Sequence, residues 1–169
     1  MTTSPRNTAL QHDLNATELR ELVGRIAADP AQWRPLVRGD TAQRHFEQLW
    51  RDDHVDVWVI TWASGNDTGF HDHDVSHGAV AVVQGELIEE RLVVGGPPRQ
   101  LRRRLGEIFD FDASHVHRMR HDTAELGVSV HAYSPPLWRM GAYEVDADGT
   151  LRRRSISSAE ELRPVEAAA

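Results

Sequence analysis

Gly65-Asn66-Asp67-Thr68-Gly69-Phe70-His71-Asp72-His73-Asp74-Val75-Ser76-His77-Gly78 is the stretch whose reading decides the fold. Its centre, His71-Asp72-His73, places two imidazoles at i and i+2 among residues that suit strands and turns. Successive side chains on a β-strand alternate faces, so these two rings share one. Same-facing imidazoles can share a first-row transition metal, for which histidine is the commonest ligand. The pair alone fits ordinary hairpin histidines equally well. Coordination needs a third convergent group from elsewhere in the chain.

The surrounding texture is β. Val55, Val57, Val59 and Thr61 alternate with Asp56, Trp58, Ile60 and Trp62, a β-branched and aromatic run. Residues 79–83 and 87–94 flank Gly85, and Gly95-Gly96-Pro97-Pro98 is a turn signal. Residues 101–105, 107–111, 127–133 and 141–145 continue the series, and Asp148-Gly149 marks a late hairpin turn before Leu151. Many short strands at regular spacing predict a sandwich or barrel. Ahead of them, Leu19, Leu22, Val23 and Ile26 recur at helical spacing, with Asn15 or Thr17 as N-cap and Asp29-Pro30 as the stop. A second short helix or turn covers residues 31–36. Residues 1–13 read as loose and the end of the chain as a frayed tail.

The 169 residues carry a net charge of −7, which argues against nucleic acid as a general partner. Arginine supplies all 19 basic residues, so the triplets Arg102-Arg103-Arg104 and Arg152-Arg153-Arg154 read as solvated strand or loop positions. No apolar run approaches the roughly 18 residues of a membrane span, and no secretory leader opens the chain. A cytoplasmic location without a membrane partner is the expectation. The absence of cysteine removes disulfides, zinc–thiolate sites and cysteine nucleophiles.

Gly65, five residues, His71-x-His73, four residues, Gly78, six residues and Gly85 resembles the first cupin motif. Gly78 stands where many cupins carry a ligand glutamate. Twenty residues further on, Gly106, five residues, Asp112-x-Ser114, two residues and His117 resembles the second motif. Asp112, Ser114 and His121 replace that motif's proline, glycine and asparagine, while the histidine is kept. The resemblance implies an all-β double-stranded barrel, jelly-roll-like, with N-terminal helices. It divides one cupin domain, 1–169, into a helical segment 1–43, a barrel 44–156 and a tail 157–169. It also implies His71, His73 and His117 as a three-histidine metal site, although His115 shares the parity of His117.

Ser129-Val130-His131-Ala132-Tyr133-Ser134-Pro135-Pro136, together with His71-Asp72-His73, Ser76, His77 and Gly85, is similar to the cysteine dioxygenase family of thiol dioxygenases. The likeness covers roughly residues 44–145. It implies iron(II) as cofactor, a small thiol and O2 as partners, and oxidation of the thiol to a sulfinic acid. It also implies a hydrogen-bonded line of Ser129, His131 and Tyr133 beside the iron, in a monomer or small homo-oligomer.

Two departures stand out. Some family members crosslink the active-site tyrosine to a cysteine, whose place here is Gly78, so Tyr133 stays unmodified. Cysteine dioxygenases hold the substrate carboxylate with an arginine on an early strand. Laying Arg44-His45-Phe46-Glu47-Gln48-Leu49-Trp50-Arg51 on that strand without gaps puts Phe46 in its place. A register slip brings Arg44 or Gln48 inward instead, since both share the parity of Phe46. The related mercaptopropionate dioxygenases use glutamine in this region, which favours Gln48; Arg139 is a further anchor from another wall. His77 has two readings, a hydrogen bond behind the ligands or a place at the pocket mouth. Trp58 and Trp62 read as barrel packing. The rival functions are a non-enzymatic metal or small-molecule sensor on the same barrel, or another metallocupin enzyme.

Overall fold

A computed structural model describes residues 12–39, 44–93, 95–146 and 150–157. The opening residues up to 11, the Asp148-Gly149 pair expected to form a turn and the residues from 158 expected to form a tail lie outside the described residues.

Two short helices precede eleven strands: α1 (Ala16–Ala27), α2 (Pro30–Trp33) with a 3₁₀ turn (Arg34–Leu36), β1 (His45–Arg51), β2 (Asp56–Trp62), β3 (Phe70–Asp72), β4 (His77–Gln84), β5 (Glu86–Arg91), β6 (Arg99–Arg104), β7 (Ile108–Phe111), β8 (His117–Arg120), β9 (Gly127–Ser134), β10 (Arg139–Val145) and β11 (Leu151–Ser157). Asn15, not Thr17, caps α1. Its side chain accepts from the Glu18 N–H at 3.1 Å, while the Glu18 carboxylate accepts from the Asn15 N–H at 2.9 Å. Asp29 caps the second helix, where Pro30 fills a first-turn position that needs no N–H donor.

The strands form two antiparallel sheets, ordered β1-β2-β9-β4-β7 and β11-β10-β3-β8-β5-β6. Period-two alternation divides the first sheet between two cores. Val57, Val59, Ala79, Ala81, Val128, Val130 and Ala132 meet Leu19, Leu22, Val23 and Ile26 of α1 on its outer face. Ile60, Trp62, Val80, Val82 and Tyr133 turn inward, onto Leu87, Met119, Met140 and Ile156 of the second sheet. The small residues of β4 and β9 on the outer face let the helix lie close. The chain is thus a helix layer over a cupin-type double-stranded barrel, and among the described residues no helix is long and apolar enough to cross a membrane.

β3 ends at Asp72, so His71 is on the strand and His73 is one residue past it. Asp72 points opposite to both imidazoles and is held locally by the Asp74 N–H (2.9 Å) and from distant strands by three residues. Its carboxylate accepts from the Gly141 N–H (2.9 Å), the Tyr143 hydroxyl (2.7 Å), and Arg153 Nε (2.7 Å) and Nη2 (2.9 Å). Burial alone would raise the Asp72 pKa, but the Arg153 and Tyr143 bonds outweigh it and hold the carboxyl well below the usual range. A Cβ on Gly141 would lie 2.3 Å from Arg153 Nε and 2.5 Å from Asp72 Oδ2, so only glycine fits between the pair.

Gly141→Ala is therefore expected to part Arg153 from Asp72 and cost about 2 kcal/mol, a fall of roughly 4–8 °C in the unfolding midpoint for a chain of this size. Thermal unfolding followed by circular dichroism checks it, and an unchanged midpoint would show that the pair does not brace β3.

Candidate metal and catalytic site

β3 and β8 pair with His71 directly opposite His117. That register brings the rings of His71, His73 and His117 together at 4.8–5.1 Å between centroids, and their ligand nitrogens lie within 4.8 Å of one another. All three side chains are buried. Burial, reinforced by their mutual proximity, holds His71 and His73 well below the ordinary imidazole range. Burial also lowers His117, although its bond to Glu89 opposes this. Three neutral, dry imidazoles aimed at one point are a ready ligand set.

His73 tests whether a metal fits these residues. Both of its ring nitrogens are buried and neither has a hydrogen-bond partner. A buried polar atom without a partner costs roughly 1–3 kcal/mol, so such atoms need an explanation. Coordination supplies one. The other two rings are oriented from behind: His71 Nδ1 donates to the Gly69 carbonyl (3.1 Å) and His117 Nδ1 to Glu89 (3.3 Å). These bonds leave the Nε2 atoms for the shared point.

A second group, Glu89, His115 and His117, is also close enough to hold an ion. Its carboxylate is already committed. Glu89 accepts from His115 Nε2 (2.8 Å), Arg103 Nε (2.8 Å) and Arg91 Nε (3.2 Å). Burial would raise the Glu89 pKa, but the hydrogen bonds from His115 and His117, with that from Arg103, hold it far below the carboxylate range. Two guanidinium groups on this carboxylate disfavour a further cation, so Glu89 serves as the support of His117. His121, the other neighbour in sequence, is bound to the Glu86 (2.8 Å) and Glu125 (2.6 Å) carbonyls instead.

The arginine triplets thus serve a purpose that their composition hid. Both lie on strands, as expected, but the middle residue of each turns to a buried carboxylate. Arg103 meets Glu89 and Arg153 meets Asp72. Each carboxylate adjoins a histidine of the candidate metal group, Glu89 in space and Asp72 in sequence.

On β9, Ser129, His131 and Tyr133 face inward as a hydrogen-bonded line. Ser129 Oγ is 2.8 Å from His131 Nε2, and His131 Nδ1 is 3.1 Å from the Tyr133 hydroxyl. Trp62 joins it: the indole N–H can only donate, and it donates to Ser129 Oγ at 2.9 Å. With the Ser129 hydroxyl donating to His131 Nε2, His131 carries its own proton on Nδ1 and donates to the tyrosine oxygen, which turns the tyrosine proton away; the opposite tautomer reverses both bonds. Burial first, then the charges of His117 and Arg44, lower the His131 pKa to about 3, so the ring stays neutral. Trp62, read from sequence as packing, bonds to this line from a diagonal position on β2, opposite Gly127, where spacing alone does not distinguish it from any other core tryptophan.

A narrow cavity of about 40 Å³ joins the two groups. Its walls include His71, His117, His131, Tyr133, Phe46 and Arg44. The Arg44 guanidinium lies 5.1 Å from the Phe46 ring and 5.7 Å from that of Trp62.

The sequence matches the family described as cysteine dioxygenase type I over residues 6–146. The chain belongs to the cysteine dioxygenase type I family. A cysteine dioxygenase type 1 from Danio rerio is 25% identical over 135 residues, covering 73% of this chain and 67% of the relative. One from Homo sapiens is 24% identical over 144 residues, with 78% and 71% covered. Among solved structures, a cupin superfamily protein from Desulfitobacterium hafniense superposes with a TM-score of 0.52 at 12% identity, covering 61% of this chain and 87% of its own. An uncharacterized conserved protein with a double-stranded β-helix domain from Klebsiella pneumoniae gives 0.51 at 16% identity, covering 71% and 91%. These two likenesses concern the fold.

Against the family's pattern, the substrate-side residues divide. Phe46 lines the cavity, and so does Arg44, two positions before it on the same face. Gln48 does not. It is exposed, and its amide donates to the buried Asp56 carboxylate at 2.9 Å, which also takes Arg51. Arg139 begins β10 exposed to solvent, outside the cavity, because the neighbouring Met140 is the residue that turns inward. His77 is exposed as well. It lines a separate open cleft with Arg91, Asp112 and His115, so its place is on the outer surface and not in the cavity.

Glu89→Gln keeps the shape but removes the carboxylate behind His117. Metal affinity is expected to fall about tenfold, measured by chelator competition with cobalt(II), with the fold intact. Wild-type affinity in this variant would show that His117 does not depend on Glu89.

Proposed function

We propose that this chain is an iron(II)-dependent thiol dioxygenase that converts R–SH and O2 into the sulfinic acid R–SO2H. The observation that carries the reading is His73: a buried imidazole with two unpartnered nitrogens, facing two further neutral imidazoles, in a member of this family. His71, His73 and His117 would hold the metal, and Gly78 leaves the set without an acidic ligand. Bound iron(II) supplies the redox chemistry by which both atoms of O2 reach sulfur.

The chain's own residues have distinct tasks. Trp62 and Ser129 orient the His131 ring, and His131 fixes the Tyr133 hydroxyl at the cavity wall. Tyr133 donates its proton to negative charge developing beside it. Arg44 is the one charged side chain among the described cavity walls apart from the ionisable site residues, and it offers a planar fork for a carboxylate. Phe46, Trp58 and Ile60 exclude water around the sulfur. The substrate that fits is a small mercapto acid, with its thiol toward the histidines and its carboxylate toward Arg44.

Iron-loaded protein is expected to consume O2 and yield sulfinate with at least one of cysteine, mercaptopropionate or mercaptosuccinate, read by oxygen electrode and mass spectrometry. No thiol-dependent uptake with any of them, or with cysteamine, sinks the proposal and leaves a binding role. Tyr133→Phe should keep its iron and slow turnover about a hundredfold. Arg44→Gln should raise KM for the mercapto acids about tenfold or more and leave cysteamine unaffected. Preference for cysteamine in the wild type would show that no carboxylate anchor operates.

A further inference from the structure

His73 is held differently from its two neighbours. His71 and His117 are each oriented by a hydrogen bond on Nδ1, whereas neither nitrogen of His73 has a partner. Imidazole ligands are ordinarily aligned by a bond on the far nitrogen, so something else must set this ring. What touches it is aromatic. The Phe111 ring lies 4.4 Å away at 28° to its plane, and Tyr133 lies 5.3 Å away at 26°. Phe111 also reaches His117 (5.0 Å) and His115 (5.4 Å).

The two aromatic residues stand on β7 and β9, the strands on either side of β4, and both are paired with Gly78. Cross-strand partners on one face share space. Gly78 gives up its share: a Cβ there would lie 2.3 Å from Cε2 and Cζ of Phe111. Its φ is not in the left-handed region, so the glycine serves room and not backbone freedom. Phe111 leans over the glycine, against His73. It also lines the open cleft beside the barrel, whereas His73 is fully buried, so the ring is the wall between that cleft and the ligand.

We propose that Phe111, seated in the space that Gly78 leaves open, is the positioning residue that holds His73 in its coordinating orientation and keeps it dry. The inference rests on the three-histidine metal reading above. The space beside Gly78 on β4 is filled from β7.

The test is cobalt(II) binding to the full chain, by chelator competition and by the ligand-field absorption of the bound ion. Phe111→Leu should weaken binding about tenfold and shift the bands, because His73 is released, with the apoprotein still folded by circular dichroism. Gly78→Ala should do the same by displacing the ring. In the Phe111→Leu background, Gly78→Ala should cost less than about threefold, since the displaced ring is gone. Wild-type affinity and spectrum in Phe111→Leu overturn the inference, as do penalties that multiply in the double variant. If Gly78→Ala does not fold, the Phe111→Leu affinity and spectrum decide alone. A wild-type chain that binds no cobalt overturns the metal reading and this inference together; a binding wild type with an unmoved Phe111→Leu overturns this inference only.

Discussion

The hydrogen bonds from Arg153 to Asp72 govern where His71 and His73, the candidate ligand pair, point. Asp72 lies between His71 and His73 and faces the other way, so holding its carboxylate against Gly141, Tyr143 and Arg153 fixes the outward side of β3. Alternation does the rest, because a strand pinned on one face presents a defined pair on the other. A buried carboxylate carries a desolvation cost that is offset only by well-placed partners. Here the partner comes from the last strand of the barrel. The His71-Asp72-His73 segment is thereby tied to β10 and β11, far along the chain.

Glu89 repeats the arrangement on the opposite side of the site. It too is buried, it too meets the middle arginine of a triplet, and it holds His117 as Asp72 holds the His71-His73 segment. The outcome is an electrostatic separation. Full charges are paired behind the imidazoles, and the imidazoles themselves stay neutral. With no carboxylate among the proposed ligands, the cavity presents neutral donors and the Arg44 cation.

Much of this was legible in the sequence because it follows period two. The β texture, the start of α1 at one of two candidate caps, the Gly95-Gly96 turn and the inward set Ser129, His131 and Tyr133 all rest on local spacing that the structure preserves. His117 needed the motif spacing, and the pairing of His71 with His117 agrees with it. What stayed hidden depends on contacts between distant strands. Arg103 and Arg153 looked like solvated charge because nothing nearby reveals that Glu89 and Asp72 are buried opposite them. The choice among Arg44, Phe46 and Gln48 could not be made by parity, since all three share a face. It is decided by how far along β1 the barrel mouth extends, and by Asp56, which engages Gln48 before it could serve the cavity.

Gly78 joins two departures that seemed separate in the sequence. As a lost acidic ligand, it leaves three neutral imidazoles and one fewer donor. As a lost crosslinking position, it leaves Tyr133 without a covalent tie and hydrogen-bonded to His131. Both losses come from removing one side chain on β4, and both make room on the same inward face. Phe111 enters that room, stacks on the member of the three-histidine cluster that has no hydrogen bond, and stands between it and the outer cleft. A larger residue at position 78 would therefore act on the site whatever its own chemistry, because the first atom it displaces belongs to the ring against which His73 rests.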